Sequence, residues 1–253
     1  MPTVARGLTS LHPSSPAALL VRGGAAAAAS APGWVNICAN AAPIASMFIF
    51  FAPYPTIDQV AKTKKVGSLP LLPYSSMIAN CFLWTVYGIL KQESKIWATN
   101  GIGIAFGLFY FLRFIQFAPP KSPSFPGSIT QHITACLGVL AASAIIIASF
   151  PVPEAAAIIG NLAVLFCVAM FASPLASLAT VLKTKSASSI PLPFTLATVM
   201  NCVLWSVAGL FQMKDMKIYF PNLLGLTFGL AQVLLKLIFG NGSSSMEREE
   251  PLM

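Results

Sequence analysis

The stretch NCFLWTVYG at Asn80 to Gly88 returns as NCVLWSVAG at Asn201 to Gly209, 121 positions later. Sliding the chain against itself by that offset extends the match in both directions. Phe50, Pro53 and Val60 meet Phe171, Pro174 and Val181, and the KTK run at Lys62 to Lys64 meets the KTK run at Lys183 to Lys185. Ser68, Pro70 and Leu71 meet Ser189, Pro191 and Leu192, and upstream Asn40 meets Asn161. From Phe50 to Leu90, 15 of 41 positions are identical, far more than two unrelated apolar segments share by composition. After Gly209 one inserted residue moves the offset to 122, so that Lys95, Ile96 and Asn100 meet Lys217, Ile218 and Asn222. Any fold for this chain must therefore build one unit twice.

The solvent of that unit follows from composition. With 56% hydrophobic and only 9% charged residues, the 253-residue chain reads as a membrane protein with the lipid bilayer as its surroundings. Its formal charge of +8 is scattered through short gaps between apolar runs and forms no patch, which argues against nucleic acid as a partner. All five cysteines lie inside apolar runs, where a thiol behaves as a small apolar group, and no disulfide framework, metal site or cofactor motif is implied. Seven apolar segments follow, at about 34–53, 69–90, 97–117, 129–150, 155–182, 190–211 and 218–239. Each is near the ~20 residues that a helix needs to cross ~30 Å of hydrocarbon.

These segments predict an all-α membrane protein. Its seven transmembrane helices form two parallel three-helix repeats joined by a single linker helix, a 3+1+3 plan. The first repeat covers 34–117, the linker with its helix 118–154, and the second repeat 155–239. The repeats are parallel because three plus one is even, so segments one and five cross in the same direction. Residues 1–33 are rich in Ala, Ser, Pro and Gly and hold no acid, which fits either a disordered tail or a targeting leader. Residues 240–253 read as a polar, disordered tail on the cytoplasmic side. With the N-terminus outside, the inner face receives nine Lys and Arg and the outer face six, so the balance favours N-out and C-in.

What the segments lack narrows the function. No Asp, Glu, Lys or Arg lies deep in any of them, whereas a proton-coupled carrier or a voltage sensor keeps an ionisable group at depth. Passive movement of an uncharged solute is the expectation. The segments show no paired Asp, no HExxH and no Ser-His-Asp set, so an intramembrane enzyme is not expected. A retinal-binding receptor fails too, because Lys236 at the end of segment seven has no acid in segment three to serve as counter-ion.

FAPYPT after segment one, the KTK turns, NCFLWTVYG, WATN, MFASPLA, NCVLWSVAG and YFPN together resemble the SWEET sugar facilitators, also called the MtN3/saliva family. The resemblance covers 34–240, and the family is itself a standing instance of parallel membrane repeats. It implies bidirectional, uncoupled movement of mono- or disaccharides by alternating access. It also implies a central site with Asn100 and Asn222 as its Asn pair and Trp84 and Trp205 flanking them. Four prolines that let helices bend are matched by Pro53, Pro73, Pro174 and Pro191. Internal alignment would pair Pro191 with Pro70, so Pro73 rests on the resemblance alone.

The chemistry suits such a site. A sugar has hydroxyls around its rim and C–H faces above and below, so amides and aromatic planes serve it better than ions. The plainer reading of each residue is that Asn caps or glues helices, that Trp marks the membrane interface, and that Pro ends a helix. For Asn40 and Asn161 the two readings stand level. Gly101, Gly103, Gly107, Gly225 and Gly229 read as close helix packing. Large aromatics in both flanking positions resemble the monosaccharide carriers, so glucose is favoured over sucrose, with Phe50 and Met170 near the kinks as further candidates for pocket width. The rival is a related carrier for another small metabolite, one that can be proton-coupled in an organelle membrane; the plasma membrane is the default. The resemblance also allows a homo-oligomer.

Overall fold

The computed structural model describes residues 31–119 and 127–240, and all the regular structure in them is helical. Residues 1–30 and 241–253, with the expectations placed on them, lie outside the described residues. In chain order the helices are α1 (Gly33–Phe51), α2 (Tyr54–Thr63), α3 (Leu72–Leu90), α4 (Ser94–Phe117), α5 (Ile129–Ser149), α6 (Val152–Met170), α7 (Ala172–Thr184), α8 (Leu192–Val207) and α9 (Met216–Phe239). A π-helical turn, Ala208–Met213, continues α8. Helices α1 to α4 form the first half, α6 to α9 the second, and α5 links them.

The first and fifth apolar segments are longer than their hydropathy suggested. Gly33–Thr63 and Val152–Thr184 each run on as one bent span, of 31 and 33 residues, in place of 34–53 and 155–182. At 1.5 Å per residue the first reaches about 46 Å, so its last turns outrun the hydrocarbon. The bends fall at corresponding places. Pro53 has no N–H to give the Ile49 carbonyl, which instead accepts the Ala52 N–H at 3.3 Å. In the second half the break lies at Phe171, and Pro174, inside α7, withholds the bond that the Met170 carbonyl would accept. Pro53 is therefore a bend within a continuing helix, since Ala52 and Pro53 both keep right-handed helical dihedrals. Pro73 and Pro191 differ. The first is the second residue of α3 and the second caps α8, so both stand where helices start rather than inside them.

Six spans are long and apolar enough to cross a membrane by length and composition. The remaining helix, α3, is diluted by Tyr74, Ser75, Asn80, Trp84, Thr85 and Tyr87 and lies at the centre of the bundle. It packs on α4, α5 and α6, so these side chains meet protein more than lipid. The two halves interlock, because α1 packs on α8 and α6 packs on α3. Their shared core holds the repeat mates Ala42 and Ala163, Trp84 and Trp205, and Ile96 and Ile218. The linker α5 opens with a capping box in which Ser128 and Gln131 bond each other's backbone N–H groups. It docks on α3 through buried His132, whose Nδ1 lies 2.8 Å from Ser75 Oγ.

Within each half, glycines let α4 and α9 approach their neighbours. A Cβ at Gly103 would stand 2.6 Å from Cys81 Sγ, and one at Gly225 would stand 2.9 Å from Cys202 Sγ. Gly107 meets Ile78 and Gly229 meets Val199 in the same way, whereas Gly101 faces open space and has no such duty. We expect Gly107→Leu and Gly229→Leu each to destabilise the detergent-solubilised protein by roughly 1–3 kcal/mol through overpacking. Gly101→Leu should leave the thermal midpoint unchanged. Equal midpoints for all three would show that glycine packing does not stabilise either half.

Candidate substrate site

Where the interlocked halves meet, a cavity of about 340 Å³ opens between α1, α3, α4, α6, α8 and α9. The cavity brings together Asn100, Asn222, Trp84 and Trp205, all four residues singled out as the Asn pair and its flanking tryptophans. Pro53 and Pro73 line it as well, while Pro174 and Pro191 are not among its lining residues. Phe50 and Met170 also reach the wall. Exposed Asn40 and Asn161 lie outside the lining, and Asn161 Oδ1 accepts from Lys217 Nζ.

The Asn pair is held in the same way on both sides. Asn100 Nδ2 donates to the Ile96 carbonyl at 2.9 Å, and Asn222 Nδ2 donates to the Ile218 carbonyl at 2.7 Å. Each amide is thus oriented by its own helix, one turn back, with its oxygen left as an acceptor on the cavity wall. The tryptophans are only 7% exposed, so their planes form walls rather than an interfacial belt.

The cavity also holds Asn80 and Asn201, which head the repeated stretch but were not singled out there. The signal was present, since Asn80 precedes Trp84 by four residues, as Asn201 precedes Trp205, and that spacing puts both on one helix face. What no identity match shows is the difference between their partners. Ser46 Oγ donates to Asn201 Oδ1 at 2.9 Å and accepts from Trp205 Nε1 at 2.9 Å, closing a triad across α1 and α8. The repeat mate of Ser46 is Cys167. Cys167 lines the cavity with Trp84, and Asn80 Oδ1 is buried with no partner. An unpaired buried acceptor is costly in protein and cheap once a ligand hydroxyl reaches it.

Beyond the Ile96 and Ile218 end of the cavity, polar bridges join the halves. Tyr87 Oη on α3 donates to Asp215 Oδ2, at the N-cap of α9. Lys95 Nζ donates to Gln212 Oε1 at 2.9 Å, and Gln212 Nε2 donates to Asn36 Oδ1 at 2.9 Å. Toward the other end, that of the KTK turns, the lining ends in Pro53, Pro73, Met77 and Phe194. There the Lys62–Asp58 pair, at 2.5 Å, lies within α2 and joins nothing across the halves.

A central polar-and-aromatic cavity between two parallel three-helix halves is the arrangement of a membrane transporter. The chain belongs to the family described as "sugar efflux transporter for intercellular exchange", whose model matches residues 37–122 and 157–243, one block per half. It is 32% identical over 197 residues to the bidirectional sugar transporter NEC1 of Petunia hybrida, covering 78% of this chain and 73% of that one. It is 28% identical over 198 residues to the bidirectional sugar transporter SWEET12 of Oryza sativa subsp. japonica, covering 78% of this chain and 66% of the relative. Among solved structures, a eukaryotic SWEET transporter superposes with a TM-score of 0.73 at 27% identity, covering 81% of this chain and 96% of that one.

The Ser46 and Cys167 difference is testable by equal truncation at mate positions. Ser46→Ala strands Asn201 and Trp205 and is expected to cost about 1 kcal/mol or more in detergent thermal unfolding. Cys167→Ala, removing a weak partner, should lower the midpoint by less than half as much. A larger loss at Cys167 would show that the thiol, not the hydroxyl, holds the tryptophans.

Proposed function

We propose that this chain carries a small sugar, glucose in preference to sucrose, by uncoupled alternating access in either direction. The observation that carries the reading is the convergence of both Asn–Trp pairs on one cavity, with the unpaired Asn80 oxygen beside them. Two oriented amides can bond vicinal hydroxyls, and two tryptophan planes can cover the C–H faces of one ring. About 340 Å³ is at the small end of the range for small-molecule sites, roughly 300–1,000 Å³, which supports a monosaccharide. The relatives' names as bidirectional sugar transporters point the same way.

The bridges at the Asp215 end and the lining at the KTK end fit a carrier closed on one face. We assign the KTK face to the cytoplasm, with the N-terminus outside, because that face receives the larger share of Lys and Arg. The family's description, exchange between cells, supports the plasma membrane. Opening outward then requires Tyr87 to leave Asp215 and the halves to rock about the bends at Pro53 and Phe171, between states a few kcal/mol apart. Because Lys62, Arg113 and Lys236 all sit near helix ends, no charged group at depth has to be neutralised by a co-transported ion.

Uptake of labelled glucose and sucrose into proteoliposomes tests this, with and without a pH gradient. Saturable glucose flux is expected, indifferent to the gradient, several-fold above sucrose and lost in Asn222→Ala and Asn100→Ala. A flux that needs the pH gradient would sink the uncoupled reading. Equal or faster sucrose flux would sink the size argument.

A further inference from the structure

The single insertion in the second repeat has a definite place. In the first half the Glu93 N–H closes on the Gly88 carbonyl at 2.8 Å, and in the second the Asp215 N–H closes on the Gly209 carbonyl at 2.9 Å. Gly88 and Gly209 are mates at offset 121, whereas Glu93 and Asp215 are mates at 122. The same closing bond therefore spans one more residue in the second half. The residues just before the two acids confirm the register, since Gln92 and Lys214 both hold left-handed dihedrals, with φ 57° and 51°. The extra residue is absorbed in the helix, as the π-helical turn Ala208–Met213, and does not lengthen the loop. A π turn is strained relative to the α-helix and recurs where function keeps it.

Here the turn positions Gln212. Its amide is used at both ends, accepting from Lys95 Nζ on α4 and donating to Asn36 Oδ1 on α1, so one side chain of the second half ties two helices of the first. The first half has no matching arm. Lys217, the mate of Lys95, donates to Asn161 on α6 and stays within its own half. Neither a carboxylate nor a thioether reproduces the pattern, since one cannot donate and the other does neither well.

We propose that the π-helical turn is a one-sided latch on the outer face and that Gln212 is a positioning residue for transport, holding Asn36 and Lys95 until the site opens outward. This rests on the alternating-access reading above. The bulge is then retained because the α register would withdraw Gln212 from the first half. Two hydrogen bonds at ordinary net strength bias the closed state by roughly tenfold, enough to set the opening rate without locking it.

The test uses the full chain in intact cells with Cys38→Ala and Cys136→Ala, leaving Cys81 and Cys167 on the cavity wall and Cys202 packed against Gly225. A membrane-impermeant maleimide is applied from outside, and the labelling rate is read alongside sugar flux. Gln212→Met is expected to raise the rate about tenfold over the background chain, and Lys95→Met by a smaller factor. The double variant should add little to Gln212→Met, because both changes cut one linkage. Unchanged labelling in a folded Gln212→Met protein overturns the latch, and so does full additivity. If Gln212→Met fails to fold, Lys95→Met decides by the same criterion. If Tyr87→Phe raises labelling while Gln212→Met does not, the outer gate exists but Gln212 is no part of it. Absence of sugar flux in the unaltered chain would count against the transport reading alone, since labelling still reports whether the outer face is latched.

Discussion

The structure depends on a crossed packing, in which the opening helix of each half rests against the second membrane span of the other. α1 lies on α8 and α6 lies on α3, so neither half has a complete core without its partner. In a bilayer, lipid tails are as apolar as leucine, and close packing with a few inter-helix hydrogen bonds must hold helices together. The Ser46, Asn201 and Trp205 triad is one such bond set, set at the α1–α8 crossing. Because the crossings flank the pseudo-two-fold axis, the residues at them become the walls of one central cavity.

Departures from the two-fold are where the two faces come to differ. Cys167 replaces Ser46 and leaves Asn80 without a partner. Ala208 replaces Tyr87, so one half sends a phenol to the other's Asp215 and receives none in return. The inserted residue of the π turn adds a second bridge from the opposite half. The first lies in the cavity wall, and the other two fall at one face. At the KTK end the first half has a broad aromatic core of Tyr74, Tyr110, Phe111 and Phe114. Among the described residues, the second half has Val181, Ala187 and Ile190 there, packed by Leu235 and Phe239.

Proline chemistry suits a body that must move between two packings. Pro53 and Pro174 remove backbone bonds at matching bends while the chain on either side stays helical, so bending there breaks no further bond. In the proposed cycle the work falls to few contacts, the polar bridges at one end and the proline-bordered opening at the other. The cavity between them holds amides, indoles and thiols, none of which has to change charge as the halves rock.

The repeat, the membrane solvent, the helix count and the Asn and Trp pairs were legible in the sequence, because each is carried by residue identity at fixed spacing. Asn80 and Asn201 were legible by the same rule, four residues ahead of each tryptophan, yet only the cavity showed that they share it. Tertiary structure alone decided the rest. Hydropathy could not see that the first span runs on past Pro53 as α2, since Tyr54–Thr63 is polar and outlasts the hydrocarbon. Nor could it show that Pro73 and Pro191 begin helices while Pro53 bends one. The single insertion was visible as a shift in offset, but whether it lengthened a loop or widened a helix turn depended on backbone hydrogen bonds. The partners that Gln212 and Ser46 find across the halves join residues more than a hundred positions apart. Local sequence sets which side chains a helix presents; only the packing of the two halves decides what they meet.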